Sequence, residues 1–419
     1  MQMKKVIVIG GGAAGMMAAI QSASHGNEVI LLEKNEKLGK KLFITGKGRC
    51  NITNACDISD LFSNVVTNPK FLYSAFYLFS NEDTMQFFES LGLPLKIERG
   101  SRVFPVSDKS SDVIRVLERE CERRHVSIRL HHTVQKLDVR QNRITGVRLS
   151  DGTRLAADKV ILATGGRSYS STGSTGDGYR LAGQCGHTIN TARPGLTGLV
   201  TSIDIGKQLQ GLTLRNIRIR ITSMDNNKKS LYGDFGEILF THYGVSGPLI
   251  LTASSLVGDL LQKQPLLLHI DLKPALSREQ LDERVIRDFS EAMNSDIKNA
   301  ARHLLPKSMI GEVLRQAQIE PTTKIHMLTK EIRLKLVDTM KDYTLPLKGL
   351  RDIEEAVITR GGVKVTEVDP STMESKLVSG LYFAGEILDL DALTGGFNLQ
   401  IAWSTGYLAG SMAAQGQSD

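Results

Sequence analysis

The sequence is poor in the residues and runs that mark secreted, membrane-spanning or metal-binding proteins. Its 419 residues include four cysteines, Cys50, Cys56, Cys121 and Cys185, too few for a disulfide framework. No apolar run reaches the roughly 18 residues of a transmembrane helix, and glycines interrupt the apolar start at residues 6–9, unlike a signal peptide. No spacing of His, Cys, Asp or Glu matches a metal site. These absences predict a cytoplasmic protein with no membrane segment and no bound metal.

The composition is that of a globular protein with a basic excess. It is 41% hydrophobic and 23% charged, which allows a core of normal size and excludes a disordered chain. The formal net charge is +7. One interpretation is an ordinary surface; the other is a polyanionic partner such as RNA. Arg218 and Arg220 would share one face of a strand, but charge alone leaves both interpretations open.

The N-terminal residues 4–33 are typical of a strand, a glycine turn, a helix and a second strand. The turn reads Gly10-Gly11-Gly12-Ala13-Ala14-Gly15. It fits G-x-G-x-x-G, whose glycines allow the tight turn, the approach of a pyrophosphate and close packing of helix on strand. The helix N-terminus favours phosphate, and Glu33 stands where a carboxylate binds ribose hydroxyls. Together these features predict a dinucleotide site.

Three later segments are predicted to line the same dinucleotide, because ligands bind beyond the carboxyl ends of strands in an open sheet. Ala163-Thr164-Gly165 ends one apolar strand, and Gly385-Glu386 ends another. Gly396-Phe397-Asn398 precedes the final helix, whose N-terminus would present backbone N–H groups to the far end of the dinucleotide. The alternative for this last segment is a glycine-rich loop with a capped helix.

The middle of the chain predicts an insertion into an α/β fold. Residues 195–272 alternate in polarity and are rich in β-branched residues, as in a compact β domain. Residues 277–341 have helical periodicity, with Ser277 as an N-cap. The predicted segments are the first part of the dinucleotide-binding domain, a β domain, a helical subdomain and the second part of the first domain: residues 1–194, 195–275, 276–345 and 346–419.

Several motifs together are highly specific. They are Gly39-Lys40-Lys41, Thr45-Gly46-Lys47-Gly48-Arg49-Cys50-Asn51-Ile52-Thr53-Asn54, Phe240-Thr241-His242-Tyr243-Gly244-Val245-Ser246-Gly247-Pro248, Gly361-Gly362-Val363 and Met373-Glu374-Ser375-Lys376. Over essentially its whole length the chain resembles the bacterial FAD-dependent oxidoreductases of the BaiN and aminoacetone-oxidase type. That family more often has three glycines before Arg-Cys-Asn, whereas Lys47 is the middle residue here.

The resemblance implies FAD as cofactor and a Rossmann-like FAD-binding domain of the glutathione-reductase type. It also implies an inserted β-barrel-like domain and a helical subdomain. The residues predicted to bind FAD lie in the segments above and in two lysine-containing loops, with Val134 added from a strand: Gly10, Gly12, Ala13, Ala14, Gly15, Glu33, Lys34, Lys41, Thr45, Gly46, Gly48, Arg49, Val134, Ala163, Thr164, Gly165, Gly385, Glu386, Gly396, Phe397 and Asn398.

Three residues are predicted to be catalytic. Cys50 would donate a proton if basic neighbours and a helix end lowered its pKa; the alternatives are a small buried filler and a redox pair with Cys56. Arg49 would bind phosphate or stabilise an anionic flavin, or else form a surface salt bridge. His242 would act as general acid or base or position the substrate, or else be held structurally in its turn.

Bound FAD implies an enzyme that transfers hydride or electrons. The first hypothesis is reduction of an activated C=C bond by hydride from flavin N5, with uridine of ribosomal RNA or its precursor as substrate and dihydrouridine as product. Oxidation of a small amine such as aminoacetone and reduction of a steroid or bile acid are the alternatives. A non-catalytic, flavin-containing RNA-binding factor is the alternative from another class. No second G-x-G-x-x-G unit is present, which leaves NAD(P)H as a transient electron donor or a different reductant.

Overall fold

The chain forms two compact units. The computed structural model describes residues 3–225 and 229–414, apart from the side chains of residues 206 and 207. The first unit combines Met1–Gly195 with Ile353–Asp419, and the second is Leu196–Asp352. The second unit is therefore an insertion between the two stretches that make up the first. The borders of the four segments named above stay a prediction.

A parallel sheet forms the centre of the first unit. Its five strands are, in spatial order, Leu381–Phe383, Lys159–Leu162, Lys5–Ile9, Glu28–Leu32 and Ser127–Arg129. Val6, Ile7 and Val8 are fully buried, as expected of a strand covered on both faces. Because all five strands run the same way, their carboxyl ends meet at one edge.

Smaller antiparallel sheets and helices surround this centre. The further strands of the first unit are Arg154–Ala156, Arg143–Leu149 and Val134–Arg140 in one sheet, Thr53–Asn54, Arg102–Pro105 and Leu95–Glu98 in a second, and the pairs Ile189–Gly195 with Ile358–Val363 and Val65–Thr67 with Asp391–Ala392. Its α-helices are Ala13–Ser24, Lys40–Ile44, Ile58–Ser63, Tyr73–Leu78, Asn81–Ser90, Ser110–Arg123, Asp177–Gln184 and Phe397–Ala414.

The helices Ala13–Ser24 and Phe397–Ala414 pack closely through small residues. A Cβ on Gly406 would lie 2.5 Å from the carbonyl oxygen of Ala14, and one on Gly410 would lie 2.5 Å from that of Ala18. Any larger side chain at these two glycines would push the helices apart. The last described helix therefore supports the helix that begins at the glycine turn.

The second unit is built around a closed barrel. Its six strands are, in order around the barrel, Leu199–Thr201, Gly244–Ser246, Ser230–Thr241, Thr213–Ser223, Leu266–Asp271 and Tyr343–Leu350. Ile217, Ile219 and Ile221 are buried, whereas Arg218 between them is exposed. The alternation therefore separates the interior of the barrel from its outer surface.

Helices complete the second unit. They are Gly206–Leu209, Pro248–Leu261, Arg278–Ser290, Ile297–Ala300, Lys307–Gln316 and Lys330–Lys341. Ser277 caps the third of them in a capping box with Gln280, as predicted. The predicted fold class, a Rossmann-like α/β domain with an inserted β-barrel-like domain and helices, is confirmed.

Candidate functional site

The glycine turn after the first strand is closed on one side and open on the other. A Cβ on Gly15 would lie 1.8 Å from the carbonyl oxygen of Gly10, so only glycine lets the helix approach the strand this closely. A Cβ on Gly12 would meet nothing within 4 Å. The helix that starts at Ala13 has no side-chain cap and no acidic residue in its first turn. This open helix N-terminus fits a pyrophosphate.

Glu33 is buried and held in one orientation. Its Oε2 accepts a hydrogen bond of 2.7 Å from the backbone N–H of Gly11. Its Oε1 accepts one of 2.9 Å from the backbone N–H of Asn35. The carboxylate thus lies beside the turn, at the end of the second strand, which fits a ribose hydroxyl pair next to a pyrophosphate.

The structure brings the other predicted strand-end residues to the same edge. A Cβ on Gly10 would lie 2.5 Å from the carbonyl oxygen of Ala163, and one on Gly385 would lie 2.8 Å from the Cβ of Ala14. A Cβ on Gly165 would lie 3.7 Å from Oε2 of Glu386. Two segments that are far apart in the sequence, residues 163–165 and 385–386, therefore converge on the turn.

Lys41 and Glu386 form the centre of a charged cluster at this edge. The Lys41 Nζ donates to both carboxylate oxygens of Glu386, at 2.7 and 2.9 Å, and to Ser168 Oγ at 2.6 Å. The backbone N–H of Thr359 donates to Glu386 Oε1 at 2.7 Å. We call these four residues the Lys41–Glu386 cluster. Both charged side chains are 22% exposed, so a ligand at this edge can still contact them.

The loop after the short helix Lys40–Ile44 has a left-handed backbone. The φ angles are 56° at Gly46, 58° at Lys47 and 84° at Gly48. Lys47 therefore keeps the backbone shape that a glycine would adopt, with its side chain exposed, at the cost of some strain. Further along, Asn51 Oδ1 is buried without a hydrogen-bond partner, which leaves an acceptor for a bound group.

Cys50 lies inside this loop as a fully buried residue. Burial raises the pKa of its thiol to about 12, and a hydrogen bond with Thr45 only partly opposes this. The condition for a lowered pKa of Cys50 is therefore not met, because the thiol lies in an apolar interior and not beside cations; its burial agrees with the alternative of a small buried residue. All four cysteines are free, so no disulfide joins Cys50 to Cys56.

Arg49 is engaged in a cluster of its own. Its Nε donates to Asp108 Oδ1 at 2.8 Å and its Nη1 to Glu98 Oε2 at 3.2 Å. Lys96 Nζ donates to Asp108 Oδ2 at 2.6 Å. We call these four residues the Arg49 cluster. Glu98 and then Asp108 raise the pKa of the Arg49 guanidinium, so the salt-bridge alternative describes what this side chain does here.

The remaining predicted residues are more scattered. Val134 is buried at the start of its strand in a separate three-stranded sheet, and Lys34 Nζ pairs with Asp177 at 2.6 Å. His242 is exposed in a turn of the second unit, edge-on to the Tyr243 ring at 5.0 Å between centroids. Arg49 and Cys50 belong to the first unit. The roles of all these residues stay predictions.

The loop before the last helix is fixed by neighbouring backbone. A Cβ on Gly396 would lie 2.4 Å from the carbonyl oxygen of Thr53. Asn54 Nδ2 donates to the carbonyl oxygen of Gly395 at 3.0 Å. Asn398 Oδ1 accepts from the backbone N–H of Ala392 at 3.0 Å, and Phe397 is buried. This loop therefore contacts the end of the segment that contains Arg49, Cys50 and Asn51.

The first unit also contains a polar cavity of about 470 Å³ that the sequence did not indicate. Its lining consists of Thr67, Asn190, Thr191, Arg193, Arg360, Gly361 and Asp389. Arg360 directly precedes the Gly361-Gly362-Val363 motif, and Asp389 lies between Glu386 and Gly396. Charged residues beside these glycines were the one signal in the sequence that could have pointed to the cavity.

The cavity and the Lys41–Glu386 cluster are connected by neighbouring residues of one strand. Thr359, which donates to Glu386, immediately precedes Arg360 in the strand Ile358–Val363. The backbone N–H of Asp389 donates to the carbonyl oxygen of Val363 at 3.0 Å. The cavity therefore lies next to the segment predicted to bind FAD.

The described residues leave two further kinds of site without support. Over residues 3–225 and 229–414, no group of three or more His, Cys, Asp or Glu side chains is arranged to hold a metal ion. Among the helices of these ranges, none is both long and apolar enough to cross a lipid bilayer.

The fold and the site define a class of protein. An open helix N-terminus at a glycine turn, a buried carboxylate at the end of the second strand and a buried unpaired acceptor at Asn51 all fit FAD. The chain is an FAD-dependent oxidoreductase. It belongs to the HI0933-like family, whose Rossmann-domain model matches residues 4–412.

Curated relatives match along nearly the whole chain. A 3-dehydro-bile acid delta(4,6)-reductase of Clostridium scindens is 34% identical over 418 residues, which is 99% of this chain and 100% of the relative. A ribosomal RNA dihydrouridine synthase of Escherichia coli is 30% identical over 405 residues, or 96% of each chain. Among solved structures, the 3-ketosteroid-delta4-(5alpha)-dehydrogenase of Rhodococcus jostii has a TM-score of 0.51 at 15% identity, covering 99% of this chain and 97% of that one. That last likeness concerns the fold alone.

Proposed function

We propose that this enzyme reduces a C=C bond that is activated by a neighbouring carbonyl group. The observation that carries the proposal is the common chemistry in the names of its full-length relatives. A delta(4,6)-reductase of a 3-dehydro-bile acid and a dihydrouridine synthase both add hydrogen across a C=C bond conjugated to a carbonyl. Relatives with such different substrates share a reaction type, and this supports the reaction type for the present chain.

Bound FAD supplies the hydride, and the protein supplies binding, orientation and electrostatics. The glycine turn and Glu33 are suited to hold the adenosine and pyrophosphate part. The Lys41–Glu386 cluster is suited to orient the part of FAD that lies beyond the strand ends. Substrate polar groups can then be received by the neighbouring polar cavity. Cys50 is fully buried, so we expect the proton to come from another donor, for which His242 is the remaining candidate.

We propose uridine in ribosomal RNA or its precursor as the substrate. Two relatives of about the same length carry the name ribosomal RNA dihydrouridine synthase, each at 30% identity, and the net charge of +7 suits a polyanionic partner. A 3-dehydro-bile acid is the second candidate, because the bile-acid reductase is 34% identical over the whole chain. A cavity lining with six polar residues out of seven favours the nucleotide.

Nucleoside mass spectrometry of ribosomal RNA tests this proposal. Deleting the gene should remove a dihydrouridine, and the wild-type gene should restore it. Gly12→Glu should not restore it, because a carboxylate in front of the helix N-terminus repels the pyrophosphate. Arg119→Ala, an exposed change in the helix Ser110–Arg123, should restore it as the matched control.

An unchanged nucleoside profile would show that ribosomal RNA is not the substrate. The dithionite-reduced protein would then be mixed without oxygen with a 3-dehydro-bile acid that has a 4,6-diene, and reoxidation of the flavin followed by absorbance. If the nucleoside profile is unchanged and the bile acid does not reoxidise the flavin, the proposal of C=C reduction is wrong.

A further inference from the structure

The polar cavity has the size and the chemistry of a small-molecule site. Its volume of about 470 Å³ lies within the range of roughly 300–1,000 Å³ that is typical of ligand pockets. Such pockets are usually lined mostly by apolar side chains, but six of the seven lining residues here are polar and the seventh is Gly361. The apolar ring system of a steroid would gain little from this lining. The occupant should therefore be a polar group.

Two arginines of the lining lie directly opposite each other. Arg193 and Arg360 are register partners in the antiparallel pair Ile189–Gly195 and Ile358–Val363. Directly opposed residues have Cβ atoms about 4.5–5.5 Å apart, and like charges in such a pair are destabilising. Arg360 is only 8% exposed, so water screens the repulsion poorly. The buried Asp391 beside Arg360 offsets part of this repulsion, and the two guanidinium groups together present several N–H donors to one ligand.

The carboxylates nearby have structural tasks of their own. Asp391 is fully buried and lies 3.5 Å from Arg360 Nε, which fixes the direction of that guanidinium. Asp389 Oδ2 accepts a hydrogen bond of 2.6 Å from Asn190 Nδ2. The charged residues of the lining are thus two arginines and one aspartate, and guanidinium N–H groups are strong donors to an oxyanion.

We infer that this cavity binds an oxyanion of the substrate, with Arg193 and Arg360 as the pair that recognises it. Arginine binds phosphate and carboxylate through paired N–H groups. The inference rests on the proposed function, because it takes the occupant to be the substrate of the neighbouring FAD. The oxyanion can come from a nucleotide phosphate or from the carboxylate of a bile acid, and the two sources are separated by the choice of probe.

Equilibrium binding to the oxidised holoenzyme tests the inference without turnover. Uridine monophosphate, uridine, inorganic phosphate, cholate and the neutral C24 alcohol of cholate are each titrated by calorimetry. The charged member of a pair should bind at least about 10-fold more tightly than its neutral counterpart, since hydrogen bonds between charged groups are the stronger ones. Preference for uridine monophosphate over uridine identifies phosphate, and preference for cholate over its alcohol identifies carboxylate.

Variants of the two arginines give the decisive comparison. Arg193→Ala and Arg360→Ala should each weaken the charged probe by about 10- to 100-fold, Arg193→Lys by less, and Arg119→Ala not at all. Inorganic phosphate should raise the thermal midpoint of the wild type more than that of Arg193→Ala, because a ligand stabilises only a protein that binds it. A purely structural role for Arg193 would lower the midpoint without ligand and leave the phosphate-dependent increase unchanged.

The results separate this inference from the proposed function. Arginine-dependent binding of a charged probe, combined with a flavin that no activated alkene reoxidises, would keep the anion site and discard the reductase. Binding that is equal in wild type, Arg193→Ala and Arg193→Lys would overturn the anion site. If Arg360→Ala does not fold, the titrations of the wild type and the two Arg193 variants are sufficient to decide between these outcomes.

Discussion

Two clusters in the first unit each pair basic with acidic side chains but differ in position. The Lys41–Glu386 cluster lies at the carboxyl edge of the parallel sheet, and its charged side chains are 22% exposed. The Arg49 cluster lies on the small sheet of Leu95–Glu98 and Arg102–Pro105, and its side chains are 28–41% exposed. The first cluster also shares backbone with the cavity.

The difference between the clusters shows that residue type alone does not identify a site. Lys41, Glu386 and Arg49 were all predicted from the sequence to bind FAD, and each is a charged residue close to glycines. In the structure Arg49 is neutralised by two carboxylates, whereas Glu386 joins three segments at the edge where ligands bind. Position relative to the strand ends is therefore the better guide to function.

The largest expected effect comes from breaking the Lys41–Glu386 cluster. Glu386→Ala leaves the Lys41 ammonium and the Thr359 N–H without their acceptor. We expect FAD affinity to fall about 10- to 100-fold, measured as fluorescence of released FAD on dilution. Glu386→Gln should lose less, because it keeps an acceptor. FAD retained at the wild-type level in Glu386→Ala would mean that the cluster does not support the cofactor.

A smaller effect is expected in the Arg49 cluster. Arg49→Ala should leave FAD affinity unchanged and lower the free energy of unfolding by about 1 kcal/mol or less, as for half-exposed ion pairs. Lysine and arginine partners lower the pKa of Asp108 and Glu98 in the folded state. Their stabilisation is therefore present above the ordinary carboxyl pKa range and is lost as the pH falls through the lowered values.

Thermal midpoints measured from about pH 6 to pH 3 check this expectation, since paired carboxylates protonate over that range. The wild type should lose stability more steeply than Arg49→Ala on acidification. If the thermal midpoints of the two proteins fall in parallel with pH, or if Arg49→Ala loses FAD, the prediction that Arg49 binds the cofactor would be favoured instead.

The smallest effect is expected at Cys50, the chain neighbour of Arg49. Loss of a general acid lowers turnover by about 100- to 10,000-fold, whereas Cys50→Ala should lower it by less than about tenfold. In the wild type, a thiol reagent at pH 8 should modify Cys56 and Cys185 before Cys50 and Cys121, whose pKa values burial raises to about 12. Rapid labelling of Cys50 would contradict its burial.

Local patterns predicted much of the fold. Val134, predicted to lie in a strand, is the first residue of the strand Val134–Arg140, and the alternation around Ile219 does mark a barrel wall. The last helix begins at Phe397, two residues before the predicted start, because Gly396 with φ of 101° already ends the preceding loop. Periodicity and glycine turns carry this information within a few residues of sequence.

Periodicity and glycine turns could not predict the cavity. Arg193 and Arg360 meet through pairing of strands that are about 165 residues apart in the chain, and no local spacing encodes that pairing. Burial of Cys50 is also a tertiary property, since its neighbours Arg49 and Lys47 suggest a charged environment in the sequence. The residues of the dinucleotide turn were accessible because their constraint is local.

The packing of Phe397–Ala414 on Ala13–Ser24 has a consequence for the order of biosynthesis. The glycine turn is synthesised before the inserted unit, but the helix that supports the turn and the edge strand Leu381–Phe383 are made after it. The barrel has all its strands once Leu350 has been added. Since domains generally fold as units during synthesis, we expect the inserted unit to fold before the first unit is complete, and FAD to bind stably only once the helix Phe397–Ala414 has been made.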